Sequence, residues 1–151
     1  MTTNDVETVT AMWDALNDRD WPRVKSFFGP DSIYYDVPLG PGAAARGPGG
    51  IEARLRLGIE PLQAYAHHHG LATAGTDGLV MLEHSETWTW SDSESFTLPI
   101  ATVHRVADGV ITRWRDYWDY QALMGAAPAW WVEQTTGGDL SWLYDASADP
   151  L

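Results

Sequence analysis

The sequence predicts a single α+β domain in which helices pack against a curved antiparallel or mixed sheet, and three observations predict it. Apolar residues recur at steps of three and four in segments around residues 6–16, 24–28 and 51–62, the period of a helix face. From about residue 65 to residue 119 they fall in runs rich in β-branched and aromatic residues. The breaks between those runs are short turn signatures of the kind that join antiparallel neighbours. At 151 residues the chain has the length of one domain and buries one substantial core.

Taken in order, Val6, Val9, Trp13 and Leu16 define one face of a first helix, and Asn4 with Glu7 three residues on resembles a capping box. Asp18-Arg19-Asp20 turns the chain into a short second helix carrying Val24, Phe27 and Phe28, ended by Gly29-Pro30-Asp31. Residues 33–37 read as a strand, and residues 38–50 as a loop too rich in Gly, Pro and Ala to be regular. A third helix presents Ile51, Leu55, Ile59 and Leu62, weakened by Gly58 and stopped near Pro61. Four strands follow, over 65–73, 79–90, 96–106 and 110–119, as an antiparallel meander. Residues 122–151 are rich in aromatics without a clean period; such a tail caps the open end of the fold, packs on a second subunit, or frays.

Composition narrows the function. There is no cysteine, which excludes disulfides, thiol catalysis and thiolate metal sites. Twenty-one acidic against nine basic residues give a formal net charge of −12, which repels nucleic acid and anionic membrane surfaces. The opening residues show neither a basic region nor an apolar run, and no stretch is long enough to span a bilayer, so a cytoplasmic protein is the expectation. Nine tryptophans either wrap an apolar ligand or another subunit, or fill an aromatic core.

Strand alternation sends His84, Glu86 and Trp88 to one face and Glu83, Ser85 and Thr87 to the other. A two-residue hairpin at Asp77-Gly78 would set His69 opposite Glu86 and His67 opposite Trp88. A turn centred on Ser93 would set Ile100 opposite Glu86 and Thr102 opposite His84. A three-residue turn at 107–109 would then set Asp116 opposite Ile100 and Trp114 opposite Thr102, making Glu86, Ile100 and Asp116 one row. A two-residue turn at Asp108-Gly109 would send Asp116 to the other face.

Three segments carry a family resemblance: Ile33-Tyr34-Tyr35-Asp36-Val37-Pro38-Leu39, residues 78–86, and residues 108–119 with the run Trp114-Arg115-Asp116-Tyr117-Trp118-Asp119. On these the chain resembles the limonene epoxide hydrolase family, a branch of the nuclear transport factor 2-like superfamily. The likeness extends to about Gln121, so it implies a domain over residues 1–121, with residues 122–151 as a lid or dimer contact of the same domain. It also implies a cone-shaped sheet packed against three N-terminal helices, and a homodimer. By position, the family's general base corresponds to Asp116, its acid to Glu86 in place of aspartate, its bridging arginine to His84, and its water-holding tyrosine and asparagine to Tyr34 and Asp36. Histidine, unlike arginine, can lose its charge and cannot fork between two carboxylates.

The function expected on this basis is addition of water to a small or medium lipophilic epoxide in one step, without metal or organic cofactor. Asp116 serves as base, Glu86 as acid and a protonated His84 as the bridge between them. Trp88, Trp114 and Trp118, with His67, His69 and Ile100, are expected to line the pocket. Metal ligation by His67 and His69 is disfavoured because no spacing demands a closed shell. Arg46-Gly47 reads as a loop anchor rather than a phosphate cradle. The rivals are a steroid isomerase-like or polyketide cyclase-like acid–base catalyst, a non-catalytic protein that binds apolar ligands, and a buried histidine–carboxylate network without catalytic purpose.

Overall fold

The structure, a computed structural model, describes residues 2–150. Helix α1 (Thr2–Asn17) buries Val9, Met12, Trp13 and Leu16 against the sheet, the face that the apolar spacing predicts. It begins before Asn4, which therefore lies inside the helix and is not its cap. Helix α2 (Trp21–Lys25) is started by Asp20, whose carboxylate accepts the Arg23 amide at 3.2 Å, and by Pro22 in its first turn.

Strand β1 (Ile33–Asp36) is followed not by an irregular loop but by a short 3-10 turn (Pro41–Ala43), strand β2 (Ala44–Arg46) and helix α3 (Gly47–Ile59). Composition hides these elements because tertiary contacts, not propensity, form them. Ala44 and Ala45 are completely buried, so their small side chains are what the packing admits. Gly47, at φ +74°, donates its amide to the Ser32 carbonyl at 2.8 Å, and Pro48 fixes the helical entry. Arg46 anchors this corner by pairing with Asp31 and lying over the Tyr144 ring.

Strands β3 (Ala64–Ala74), β4 (Leu79–Ser91), β5 (Glu94–Ala107) and β6 (Val110–Trp118) form the predicted antiparallel meander. With β7 (Leu143–Tyr144) they build a seven-stranded sheet in the order β3-β4-β5-β6-β1-β2-β7, where only β1 and β6 run parallel. This is the nuclear transport factor 2-like cone, an α+β fold with α1, α2 and α3 on the concave side. The chain beyond residue 119 adds α4 (Tyr120–Ala126), capped by the Asp119 carboxylate on the Ala122 amide at 3.1 Å, and α5 (Ala129–Gly137), before β7 closes onto β2.

The register differs from the expected one by an instructive amount. His67, not His69, faces Glu86; Glu86 faces Leu98, and His84 faces Ile100; Asp116 faces Thr102, and Trp114 faces His104. Glu86, Ile100 and Asp116 therefore do not form one row. The turn before β6 has two residues, Asp108 and Gly109, both at positive φ. Alone it would invert β6, but a bulge between Arg105 and Val106 adds one residue and returns Asp116 to the concave face. A second bulge, between Thr89 and Ser91, does the same for β5, and a third lies between His68 and Leu71 in β3.

The third bulge depends on Gly70, where an added Cβ would lie 2.0 Å from the Glu83 carbonyl oxygen. Gly70→Ala must push β3 away from β4 beside His67. We expect a loss of about 1–3 kcal/mol, comparable to overpacking a core. Urea unfolding checks it, and an unchanged midpoint would contradict the tightness of this crossing.

Candidate active site

The parallel pairing of β1 with β6 sets Tyr34 beside Trp114 and Asp36 beside Asp116, all four on the concave face and all buried. The Tyr34 hydroxyl lies 3.0 Å from Asp36 Oδ1 and 3.3 Å from Asp116 Oδ2. A phenol has one proton, so it donates to one carboxylate at a time, and a protonated Asp116 can donate back to Tyr34. Trp118 Nε1 donates to Asp36 Oδ1 at 2.9 Å, and Trp114 Nε1 donates to Asp116 Oδ1. Burial, then the Asp36 charge, then Glu86, push Asp116 well above the usual carboxylate range.

Glu86 enters the same hollow from β4. Its Oε2 accepts the Trp88 indole N–H at 2.8 Å, while the Tyr65 hydroxyl lies near it without closing a hydrogen bond. Burial raises the Glu86 pKa to about 7, and the two neighbours offset only part of that rise. The site thus holds two carboxyl groups whose pKa values are raised above the usual carboxylate range, beside Asp36, whose Oδ2 is ion-paired to Arg54.

His84 does not bridge the carboxylates, a correction to the sequence reading. Its Nδ1 is 2.8 Å from His67 Nε2, its Nε2 is buried without a partner among the described residues, and its ring meets the edge of Trp13, with centroids 4.6 Å apart. Burial first, then the neighbouring histidines, lower its pKa to about 3, so it is neutral at pH 7. His67 stacks on Trp13 and is lowered to about 4, again by burial first. Behind them Trp13 Nε1 donates to His104 Nε2 at 3.2 Å. Since an indole only donates, that nitrogen is the acceptor and His104 carries its proton on Nδ1. His69, expected in the pocket, instead reaches Asp14 at 2.6 Å on the exposed rim.

A cavity of about 360 Å³ opens in front of the carboxyls. Trp88, Trp114, Trp118 and Ile100 line it as expected, together with Tyr34, Asp36, Glu86 and Asp116, whereas His67, His69 and His84 are not among its walls. Its outer wall comes from the tail: Leu123 and Met124 of α4, Trp131 of α5, then Leu140, Trp142 and Leu143. Trp131 is fastened by its indole donating to the Gly58 carbonyl at 2.9 Å.

Sequence reasoning missed Arg54, and it gave the aromatic tail a place over the open end of the fold only as one of three alternatives. Arg54 projects from α3 into the cavity, and its Nη2 pairs with Asp36 Oδ2; the two side chains are 18 % and 5 % exposed. The cation of this site therefore comes from a helix rather than from β4. A signal did exist: Ile51, Arg54, Leu55, Gly58 and Ile59 share one helical face, and a charge in such an apolar stripe needs a buried partner.

Chemically, the arrangement offers an apolar chamber with proton donors and acceptors on its inner wall, one internal ion pair, and neutral imidazoles set behind Trp13. Such a chamber suits proton transfer to and from a lipophilic organic substrate.

Comparison with known proteins agrees with the fold. Residues 9–114 match the family described as SnoaL-like domain. An LEH-like epoxide hydrolase of M. tuberculosis superposes with a TM-score of 0.70 at 22 % identity, covering 91 % of this chain and 98 % of that one. TerC, co-crystallised with polyporic acid, gives 0.71 at 21 % identity over 82 % and 97 % of the two chains. A protein of Shewanella denitrificans described provisionally as a SnoaL-like polyketide cyclase gives 0.70 at 17 % identity over 81 % and 95 %.

Proposed function

The chain belongs to the SnoaL-like domain family, and from that premise we propose that it is a cofactor-independent acid–base enzyme that adds water to a lipophilic epoxide. One observation carries the proposal: Asp116 and Glu86, two buried carboxyls with raised pKa values, line one apolar cavity. Hydration of an epoxide needs one carboxylate to take a proton from water and one carboxylic acid to protonate the departing oxygen. Asp116 is assigned as the base in those molecules whose interacting pair has released one proton: Trp114 and Tyr34 both hold its oxygens, and its raised pKa strengthens it once ionised. Glu86, at about 7, retains about half its protons at neutral pH and is the acid. Tyr34 and Asp36 position the base, and Arg54 balances the Asp36 charge. The neutral His84 takes no part as a bridge.

The balance is simple. Water gives its proton to Asp116 as its oxygen bonds to an epoxide carbon, the carbon–oxygen bond opens, and the Glu86 proton passes to the freed oxygen. A net proton transfer from Asp116 to Glu86 through solvent resets the pair. Incubation with terpene, styrene and fatty epoxides, followed by chromatography of the products, tests the reading; absence of a diol from every substrate would end it.

A second reading is favoured by the Glu86 pKa near 7, the value expected of a base that removes a proton next to a carbonyl. It fits a cyclase- or isomerase-type catalyst, and polyketide cyclase is the description carried by the Shewanella protein. Exchange of α-protons for deuterium in bound ketones, without diol formation from epoxides, would select it.

A further inference from the structure

Arg54 brings a guanidinium into a cavity whose other ionisable wall groups are carboxyls and tyrosines. Its only hydrogen bond among the described residues runs from Nη2 to Asp36 Oδ2, whereas a guanidinium offers five N–H donors. Asp36 does not spend itself on Arg54 alone, because its Oδ1 also accepts from Tyr34 and Trp118. On the other side the guanidinium carbon lies 5.6 Å from the centroid of the Trp142 ring. Trp142 Nε1 is itself a buried donor with no acceptor among the described residues. Unmet buried N–H groups are rare and are met by a ligand or by water. Both residues line the cavity, opposite in origin to the carboxyls: one from α3, one from the tail.

We propose that Arg54 and Trp142 form an anion subsite that receives a carboxylate, enolate or phenolate oxygen of a lipophilic ligand. The cavity is then selective for molecules that join an apolar body to one acidic oxygen. Asp36, the carboxylate next to this subsite, is already neutralised by its ion pair with Arg54. Donors without acceptors, next to a cation with unused N–H groups, match an oxygen that carries charge better than an alcohol, since charge-assisted hydrogen bonds are about twice as strong as neutral ones. The inference rests on this cavity being the substrate site, and its test reads binding rather than turnover.

Calorimetric titration of the full chain at pH 7 compares 5-phenylpentanoate with 5-phenylpentan-1-ol, which share a skeleton and differ in the acidic oxygen. The carboxylate is expected to bind at least about tenfold more tightly. Trp142→Phe keeps an aromatic face but removes the N–H, so it should weaken the carboxylate several-fold more than the alcohol. Arg54→Lys should retain part of the preference and Arg54→Met should abolish it, with alcohol binding showing that each variant is folded. Equal affinity of the two compounds for the unaltered protein, or a preference that survives both Trp142→Phe and Arg54→Met, would overturn the subsite alone. Failure of both compounds to bind would overturn the subsite together with the reading of the cavity as a lipophilic site.

Discussion

Asp116→Asn is expected to reduce kcat/KM for the productive substrate by about 100- to 10,000-fold, the contribution typical of a positioned general base. The amide preserves shape and keeps an oxygen to accept from Trp114 Nε1, so the cavity and its tryptophans stay in place. What it loses is the ability to take up a proton. It also loses the charge that burial and Asp36 resist, so the variant should be no less stable than the parent at pH 7, and more stable above it. Loss of rate with retained or increased stability separates a chemical role from a structural one. Rates within threefold of the parent, or a variant that unfolds, would remove Asp116 from the mechanism. The pH profile gives a companion reading. Because Asp116 and Glu86 interact, the limbs of a bell-shaped kcat/KM profile belong to the pair. The variant should lose one limb.

How much of this was legible in the sequence follows from which interactions are local. Parity in the strands survived an incorrect row assignment because each turn error came with a compensating bulge. The two-residue turn at Asp108-Gly109 and the bulge at Arg105/Val106 together restore the parity, though not the register, of the three-residue turn. Faces were therefore readable while partners were not: Asp116 and Glu86 share the concave side, yet sit in different rows. Strand β2 was illegible because Ala44-Ala45-Arg46 has no β-propensity and owes its pairing to β1 and β7. His84 misled for a related reason. Its strand position matched a cation in the resembled family, but its environment was decided by Trp13 and His67, 71 and 17 residues away in sequence. The arginine that meets the carboxylate cluster entered from α3, where only its place in an apolar stripe marked it.

Glu86→Gln is expected to stabilise the protein at alkaline pH, and the sign follows from the direction of its shift. In the unfolded chain the group titrates near 4.5, and in the folded protein at about 7. Between those values the folded state holds a proton that the unfolded state has released, so stability falls as pH rises through the window and levels off above it. The full displacement is worth about 3 kcal/mol at pH 8 and above, at about 1.4 kcal/mol per pH unit. Glutamine accepts the Trp88 indole hydrogen bond and never ionises, so the variant lacks this decline. Buried His67, His84 and His104 act in the opposite direction: their lowered pKa values remove stability as pH falls from 6.5 toward 3 to 4, because the unfolded chain then takes up protons that the folded one refuses. That acid limb is common to parent and variant and cancels in their difference. Urea unfolding of both proteins at pH 4.5, 6, 7 and 8.5 should therefore show curves that converge at the acid end, separate up to about pH 7 and then level off at a constant gap, with the variant higher. A gap that stays constant across the series would mean that Glu86 is solvated and titrates normally, and a group in that condition would already have lost its proton at neutral pH and could not serve as the acid.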